Sequence, residues 1–157
     1  MEDRLARVEA RLQHLEDMEE IRALRMRYHR CVNERIFKEA VDIHTEDAFI
    51  DFAGQAQATG HAEIVKLYDY LNSNVGIIRQ FPANHVIAID GDEATGNAIV
   101  DARYSQDGKS IIAAASYDEK YRRTEKGWKI SEMIVGIYFS VPVQQGWAGE
   151  DIQQIKI

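Results

Sequence analysis

The chain has 157 residues, a formal net charge of −7, 45% apolar residues and two prolines. Its length and composition favour one folded domain with a substantial core and argue against a disordered chain. The negative charge argues against a nucleic-acid surface, because phosphate binding needs clustered Lys and Arg side chains.

A long helix is predicted over residues 3 to about 32, either continuous or broken near Glu16 and Asp17. Its first half carries a short coiled-coil-like seam formed by Leu5, Val8, Leu12 and Leu15. This seam either packs on a neighbouring subunit or covers the sheet. An apolar stripe follows at helical spacing, formed by Ile21, Leu24, Tyr28 and Cys31. The second half also carries four arginines that follow acidic residues and are expected to form a solvated helix face: Arg22, Arg25, Arg27 and Arg30.

Two shorter helices and a short strand are predicted next. The helices cover roughly residues 36–44 and 60–73, and the strand covers residues 48–52. His29 and His44 lie beside the buried stripe or at a helix end, so solvent-exposed positions are expected for both. His14 and His61 have no sequence context that indicates a function.

The second half of the chain is predicted to be a run of antiparallel strands. Residues 77–90 and 95–104 form one pair, and the long hairpin Lys109–Pro142 completes the sheet. Within this hairpin, small residues at 113–115 stand beside bulky residues at 133–139, which indicates a concave sheet with room for a ligand.

Helices followed by antiparallel strands predict an α+β fold. We expect a cone-shaped, bent antiparallel sheet that is capped by three helices and encloses a pocket, the usual kind of place for a small ligand. A single domain is expected over residues 1–157. Its core covers residues 15–142 or nearly so, between an N-terminal helical extension and a C-terminal tail.

Four segments resemble the SnoaL-like branch of the nuclear transport factor 2 superfamily. They are MEEIRALRMRYHRCVN (residues 18–33), TEDAFIDF (45–52), NHVIAIDGDEATG (84–96) and YDEKYRRTEKGWKISE (117–132). The group implied by this resemblance includes polyketide cyclases, scytalone dehydratase, hexachlorocyclohexane dehydrochlorinase and bile-acid 7α-dehydratase. Most of its members are cofactor-free lyases and isomerases that act on hydrophobic rings, and some only bind ligands.

The resemblance also implies where the catalytic residues of those enzymes fall. Their general-base histidine falls at Gln80 and the aspartate that orients it falls at Asn33, so the dyad is absent from this chain. The dehydratase tyrosine is kept as Tyr28, its acidic residue falls at Ala102, and the dehydrochlorinase arginine falls at Met133. Gln and Asn side chains hydrogen-bond a substrate but do not take up a proton near neutral pH.

The candidate catalytic residues are Tyr28, as acid or polarising donor, and His85, as base. Strict alternation places His85 on the opposite sheet face from Gln80, unless a bulge near Pro82 resets the alternation. Asn33 and Gln80 are expected to position the substrate. The remaining substrate-binding candidates line the sheet: Ala102, Tyr104, Ala115, Tyr117, Met133, Val135 and Ile137. Each candidate also fits a simpler interpretation as a core or surface residue.

Three functions fit these features. The first is a cofactor-independent lyase or isomerase, of the dehydratase type, acting on a hydrophobic ring-containing small molecule. The second is a non-catalytic small-molecule-binding protein of the same fold, and the third is a purely oligomeric or structural role. No metal is expected, because the five histidines show no ligand spacing and Cys31 is the only cysteine.

The expected partners are a hydrophobic small molecule and further copies of the chain. A homo-oligomer is expected because the exposed sheet face and the leucine seam need cover. The resemblance favours a trimer, with a dimer as the alternative. No apolar segment suits a signal peptide or a membrane span, so a cytoplasmic protein without membrane or nucleic-acid partners is predicted.

Overall fold

Residues 2–149 are described by a computed structural model of the chain, and they form three helices and six strands. In chain order these are α1 (Glu2–Glu34), α2 (Phe37–Asp42), β1 (His44–Phe52), β2 (Ala56–Thr59), α3 (Gly60–Asn74), β3 (Ile78–Asp90), β4 (Glu93–Gln106), β5 (Lys109–Thr124) and β6 (Gly127–Pro142). α1 is continuous through Glu16 and Asp17, and His44 already begins β1 instead of ending α2. The predicted C-terminal tail lies partly outside the described residues.

The six strands form one curved sheet in the order β2-β1-β6-β5-β4-β3. The predicted α+β fold with three helices is confirmed. Every neighbouring pair is antiparallel except β1 and β6, which run parallel, so the expectation of a wholly antiparallel sheet is wrong at this pair. A parallel pair needs a long crossover connection, and the chain between β1 and β6 supplies one that includes α3.

A β-bulge interrupts β3 shortly after Pro82. Ala83 pairs with Ile99 of β4 while Val86 pairs with Asn97, so two residues of β3 oppose one of β4. Asn84, inside the bulge, has a φ of 54°, which Asn tolerates better than most residues. The bulge resets the alternation of side chains, and His85 therefore lies on the same inner face as Gln80.

Helix α1 has two halves with different surroundings. Residues 3–16 are exposed throughout, whereas from Asp17 onwards the helix packs against β3 and β6. Asp17 fixes the boundary, since its carboxylate accepts two hydrogen bonds from Arg123 at 2.7 Å and one from the indole of Trp128 at 3.1 Å. No helix within residues 2–149 is both long and apolar enough to cross a membrane.

Candidate functional site

A buried ion pair lies inside the cone, between α1 and β5. Arg25 Nη1 donates a hydrogen bond to Glu119 Oε1 at 2.7 Å, and both side chains are fully buried. The Tyr121 hydroxyl donates to the other carboxylate oxygen at 2.5 Å. The expectation of a solvated helix face is therefore wrong for Arg25, because the curved sheet wraps around α1 and covers this position. The other three arginines of that group are exposed.

Aromatic rings surround the Arg25 guanidinium. Its central carbon lies 4.1 Å from the ring centre of Tyr117 and 5.0 Å from that of Tyr28, so two cation–π contacts add to the ion pair. Burial raises the pKa of the Glu119 carboxyl, and the charge of Arg25 offsets part of that rise. A buried charge of this kind is stabilised only while its partner stays in place.

His29 is buried next to this ion pair, which contradicts the solvent-exposed position expected for it. Its Nδ1 lies 2.8 Å from Gln80 Oε1, and the Gln80 amide nitrogen donates to the Tyr117 hydroxyl at 3.2 Å. An amide oxygen only accepts hydrogen bonds, so this placement of the Gln80 amide assigns the imidazole proton to Nδ1. The Nε2 atom then carries a free electron pair, and it has no hydrogen-bond partner in the described part of the chain.

The electrostatic surroundings keep His29 neutral. Burial, reinforced by the charge of Arg25, lowers the pKa of His29 to about 3, although the bond to Gln80 works in the opposite direction. The imidazole is therefore unprotonated near neutral pH and its Nε2 electron pair stays free, although a group with this pKa is a weak base in the free protein.

His85 forms a second branch of the same interior. Its Nε2 lies 3.2 Å from the Tyr121 hydroxyl. That hydroxyl already donates to Glu119, so its oxygen accepts from Nε2–H and the Nδ1 atom of His85 is left with a free electron pair and no partner among residues 2–149. Burial lowers the pKa of His85 to about 4. Gly96 leaves room for this arrangement, since a Cβ there would lie 2.8 Å from the Tyr121 ring and 3.0 Å from His85 Nε2.

Asn33 holds the strand that carries Gln80. Its amide nitrogen donates to the Gln80 carbonyl at 3.0 Å, and its amide oxygen accepts from the Gln80 backbone N–H at 2.7 Å. Both polar atoms of the side chain are thus occupied by one backbone unit. This reciprocal pair joins the end of α1 to β3 and sets the position from which Gln80 reaches His29.

Tyr28 lies at the centre of the aromatic interior and is 1% exposed. Its ring packs edge-on against His29, His44 and Tyr117, with centroid distances of 5.2, 6.2 and 6.1 Å. Burial raises the pKa of the Tyr28 phenol well above its usual value, so the hydroxyl stays protonated and its proton is available for donation. His44 is also fully buried, so the solvent-exposed position expected for it is wrong. Its Nδ1 donates a hydrogen bond to the carbonyl of Ala40 at 2.7 Å.

The apolar candidates lie on the strands that face these polar groups. Five of them are buried: Ala102, Ala115, Tyr117, Met133 and Val135. Tyr104 and Ile137 are half-buried, and the Tyr104 hydroxyl lies 2.8 Å from the Ser140 hydroxyl. The structure therefore brings Tyr28, Gln80 and Tyr117 into direct contact, with His85 on a neighbouring branch that Arg25 and Glu119 connect to them.

Four residues of the interior were not predicted from the sequence: Arg25, His29, Glu119 and Tyr121. A signal for the first two exists, because they follow the buried Ile21 by four and eight positions and so share its helix face. Glu119 and Tyr121 alternate with Tyr117 along β5 and share its sheet face.

Buried polar atoms without a hydrogen-bond partner are concentrated here. Within residues 2–149 they include Arg25 Nε and Nη2, His29 Nε2, His44 Nε2, the Tyr68 hydroxyl and His85 Nδ1. Such atoms are uncommon in folded proteins, and each requires an explanation. In contrast, no group of three or more His, Cys, Asp or Glu side chains in the described part of the chain is arranged to hold a metal ion.

Comparisons with known proteins agree with this architecture. The model of the SnoaL-like domain family matches residues 13–134. An uncharacterised protein of Mycobacterium tuberculosis is 24% identical over 124 residues, which cover 76% of this chain and 84% of the relative. A candidate aromatic ring hydroxylase from Novosphingobium aromaticivorans superposes with a TM-score of 0.77 at 26% identity, covering 83% of this chain and 96% of that one.

A hexachlorocyclohexane dehydrochlorinase of LinA type 2 superposes with a TM-score of 0.81 at 20% identity, covering 90% of this chain and 99% of that one. At this level of identity the likeness concerns the fold. The expected resemblance to the SnoaL-like branch of the nuclear transport factor 2 superfamily is confirmed by the family match and by these neighbours.

Proposed function

The chain belongs to the SnoaL-like domain family, and we propose that it is a cofactor-independent lyase or isomerase acting on a hydrophobic ring-containing small molecule. The observation that carries this proposal is the state of His29. Its imidazole is neutral, Gln80 fixes its tautomer, and its free Nε2 is buried in the field of Arg25, whose guanidinium has two nitrogens without a hydrogen-bond partner among residues 2–149. A base next to a cation is what proton abstraction from carbon requires.

In the proposed reaction the ring of the substrate lies against the apolar side chains of β4, β5 and β6. His29 Nε2 removes a proton from a carbon next to a carbonyl group or next to the carbon that bears a leaving group. The C–H electron pair forms a carbon–carbon double bond. In an isomerisation the carbonyl oxygen takes up the negative charge beside Arg25 and the proton returns from His29 to another carbon. In an elimination the leaving group departs with its bonding electron pair, and the proton on His29 then passes to solvent.

Tyr28 is the proposed acid or polarising donor. Its protonated hydroxyl can hydrogen-bond a developing oxyanion or give a proton to a departing oxygen. Because burial is the main reason for the low pKa of His29, an anionic intermediate beside the imidazole stabilises its protonated form. The weak base of the free protein becomes a stronger base as charge develops on the substrate.

This arrangement reverses the placement implied by the family resemblance. There the histidine stands on the strand and a helix residue orients it. Here the strand residue is Gln80, which holds an imidazole that belongs to the helix. His85 remains the second candidate base, because its free Nδ1 is also buried.

A binding protein without catalysis is the alternative function. It is favoured by Asn33, whose two polar atoms are both taken up by the Gln80 backbone, and by the absence of the family's acid–base dyad. The two functions share the ligand class and differ only in whether a proton moves.

The test is a panel of cyclic ketones, hydroxy ketones, chlorinated cyclohexanes and steroid-like compounds. Ligands are first found by thermal shift, because a compound that binds the native state raises the unfolding temperature. Compounds that bind are then assayed by chromatography for loss of water or HCl and for double-bond migration. His29→Gln is expected to lower turnover about 10²- to 10⁴-fold, as loss of a general base does, while binding is retained.

His85→Gln and the exposed His14→Gln are the matched controls. A loss of turnover in His85→Gln but not in His29→Gln would assign the base to His85. Binding without turnover across the panel would establish the binding protein, and a flat thermal-shift response would exclude the proposed ligand class.

A further inference from the structure

The first half of α1 exposes an apolar stripe that nothing in the described chain covers. Leu5, Val8, Leu12 and Leu15 are 59, 55, 54 and 64% exposed. Scattered apolar side chains on a surface need no explanation, but a continuous helical stripe of them indicates an interaction site. Because the stripe lies at the end of α1 away from the cone, it is independent of the proposed ligand site.

The stripe has the spacing of a coiled-coil seam. With Leu5 and Leu12 at heptad position a, Val8 and Leu15 fall at position d. Each of the two kinds of flanking position then carries charges of a single sign. Both g positions are arginine and both e positions are glutamate: Arg4 and Arg11 at g, Glu9 and Glu16 at e. In the described part of the chain none of these four side chains forms an ion pair.

The charge pattern distinguishes two ways of pairing two such helices. In a parallel pair each g residue faces the e residue five positions later in the other helix. Arg4 then meets Glu9 of the second copy, and Arg11 meets Glu16. In an antiparallel pair g faces g and e faces e, so arginine would oppose arginine and glutamate would oppose glutamate.

We propose that residues 3–16 of α1 form a parallel coiled coil with the same segment of a second copy of this chain. The apolar seam supplies the attraction, and the Arg–Glu pairs set the direction and the register. The segment is 14 residues long, or about 21 Å at 1.5 Å per residue. Two heptads alone are marginal in water, but here the helix is already nucleated because it continues from the folded half of α1.

Cysteine cross-linking tests the direction of pairing. Val8→Cys places a thiol at position d, where two parallel helices bring identical residues together, and Ala10→Cys places one at position f on the far side of the helix. The native Cys31 is buried and does not interfere. Under mild oxidation Val8→Cys is expected to form a disulfide-linked species at protein concentrations at which Ala10→Cys does not. Equal cross-linking of the two variants would overturn the proposal.

Charge variants test the pairing itself. Arg4→Glu/Arg11→Glu makes every flanking position acidic, and Glu9→Arg/Glu16→Arg makes every one basic. Each variant alone is expected to associate about tenfold or more weakly than the unmodified chain, since every attractive pair becomes repulsive. An equimolar mixture of the two should recover association as mixed species by native mass spectrometry.

Unchanged association of both single variants would refute the coiled coil, and so would a mixture that fails to recover. Neither readout involves a ligand or turnover, so a negative result here leaves the proposed function untouched.

Discussion

The two halves of α1 carry similar charges in opposite surroundings. Arg11, in the first half, is exposed and forms no ion pair among the described residues, whereas Arg25, in the second half, is fully buried against Glu119 and two tyrosine rings. Asp17 stands at the boundary between them. One helix thus contains a solvent-facing segment suited to association and a buried segment suited to holding reactive groups.

The comparison shows that burial decides what a charge does. An exposed charge contributes little to stability on its own and acts mainly by selecting partners. A buried charge is held in one position by its partner, and removing either member leaves the other in an apolar environment. The predictions below compare substitutions in the two halves, beginning with the largest expected effect.

Glu119→Gln is expected to cost about 3–5 kcal/mol of unfolding free energy, because it leaves the Arg25 guanidinium buried without a counter-charge. Urea unfolding measures the change. Arg11→Gln, at the exposed position, should change the free energy of unfolding by no more than about 0.5 kcal/mol. The double variant Arg25→Met/Glu119→Leu should recover much of the loss. A cost below 1 kcal/mol for Glu119→Gln would mean that the ion pair is not held as the structure shows.

Stability is expected to fall as the pH falls from about 6.5 towards 4, because unfolded histidines protonate in this range. The folded protein resists this protonation: burial lowers the pKa of His29 to about 3 and those of His44 and His85 to about 4. The unfolded state therefore binds up to three more protons, which gives a slope of about 4 kcal/mol per pH unit below pH 5.5. Asp17, whose pKa is lowered by Arg123, contributes only at lower pH.

Urea midpoints at pH 7, 6 and 5 measure this slope. His29→Gln should remove about a third of it by deleting one of the three groups. His14→Gln, in the exposed half of α1, should leave the slope as it is. A stability that does not change between pH 7 and 5 would show that the imidazoles are hydrated in solution.

Asp17→Asn tests the boundary between the halves. It removes the negative charge that accepts two hydrogen bonds from Arg123, so the free energy of unfolding is expected to fall by about 1.5–3 kcal/mol. Glu19→Gln, on the exposed face one half-turn further along, is the control and should have little effect. If Asp17→Asn also leaves the free energy of unfolding unchanged, then the carboxylate does not anchor α1 to the sheet.

Leu12→Ala should have the smallest effect on the stability of the single chain, about 0.5 kcal/mol or less, because Leu12 is 54% exposed. Ile21→Ala, at a fully buried position of the same helix, should cost about 2–5 kcal/mol. Both are measured by urea unfolding of protein diluted until association is lost. A large cost for Leu12→Ala under these conditions would indicate that the seam packs within its own chain.

Much of the fold could be predicted because each long element keeps its own periodicity. In α3 the buried residues Ile64, Leu67 and Tyr68 recur at helical spacing, and the two long hairpins are marked by Gly91 and Gly127 in their turns. The short strand β2 was not predicted, since four residues are too few to show alternation. The parallel pairing of β1 with β6 depends on contacts between distant parts of the chain.

Less of the candidate site could be predicted, for two physical reasons. The curved sheet covers a wider face of α1 than the apolar stripe alone. Arg25 and His29 are therefore buried, although the residue that follows each of them in the sequence is exposed. The inward direction of His85 depends on the bulge, and the sequence permits a bulge at Asn84 without requiring one. The interior positions of Tyr28 and Tyr117 could be predicted because both residues coincide with the apolar pattern, whereas the role proposed for Tyr28 came from the family resemblance.

The bulge in β3 also determines which residues of this strand face the interior, because it adds one residue to the alternation of side chains. Deleting Asn84 would remove the bulge and restore strict alternation, with His85 still facing inward and Val86 outward. Loss of the bulge at unchanged length would have the opposite result, because Val86 would then turn inward and His85 outward. Between related chains, whether this segment contains the extra residue therefore carries as much chemical information as the residue types within it, and an alignment that ignores the extra residue assigns the histidine to the wrong side of the sheet.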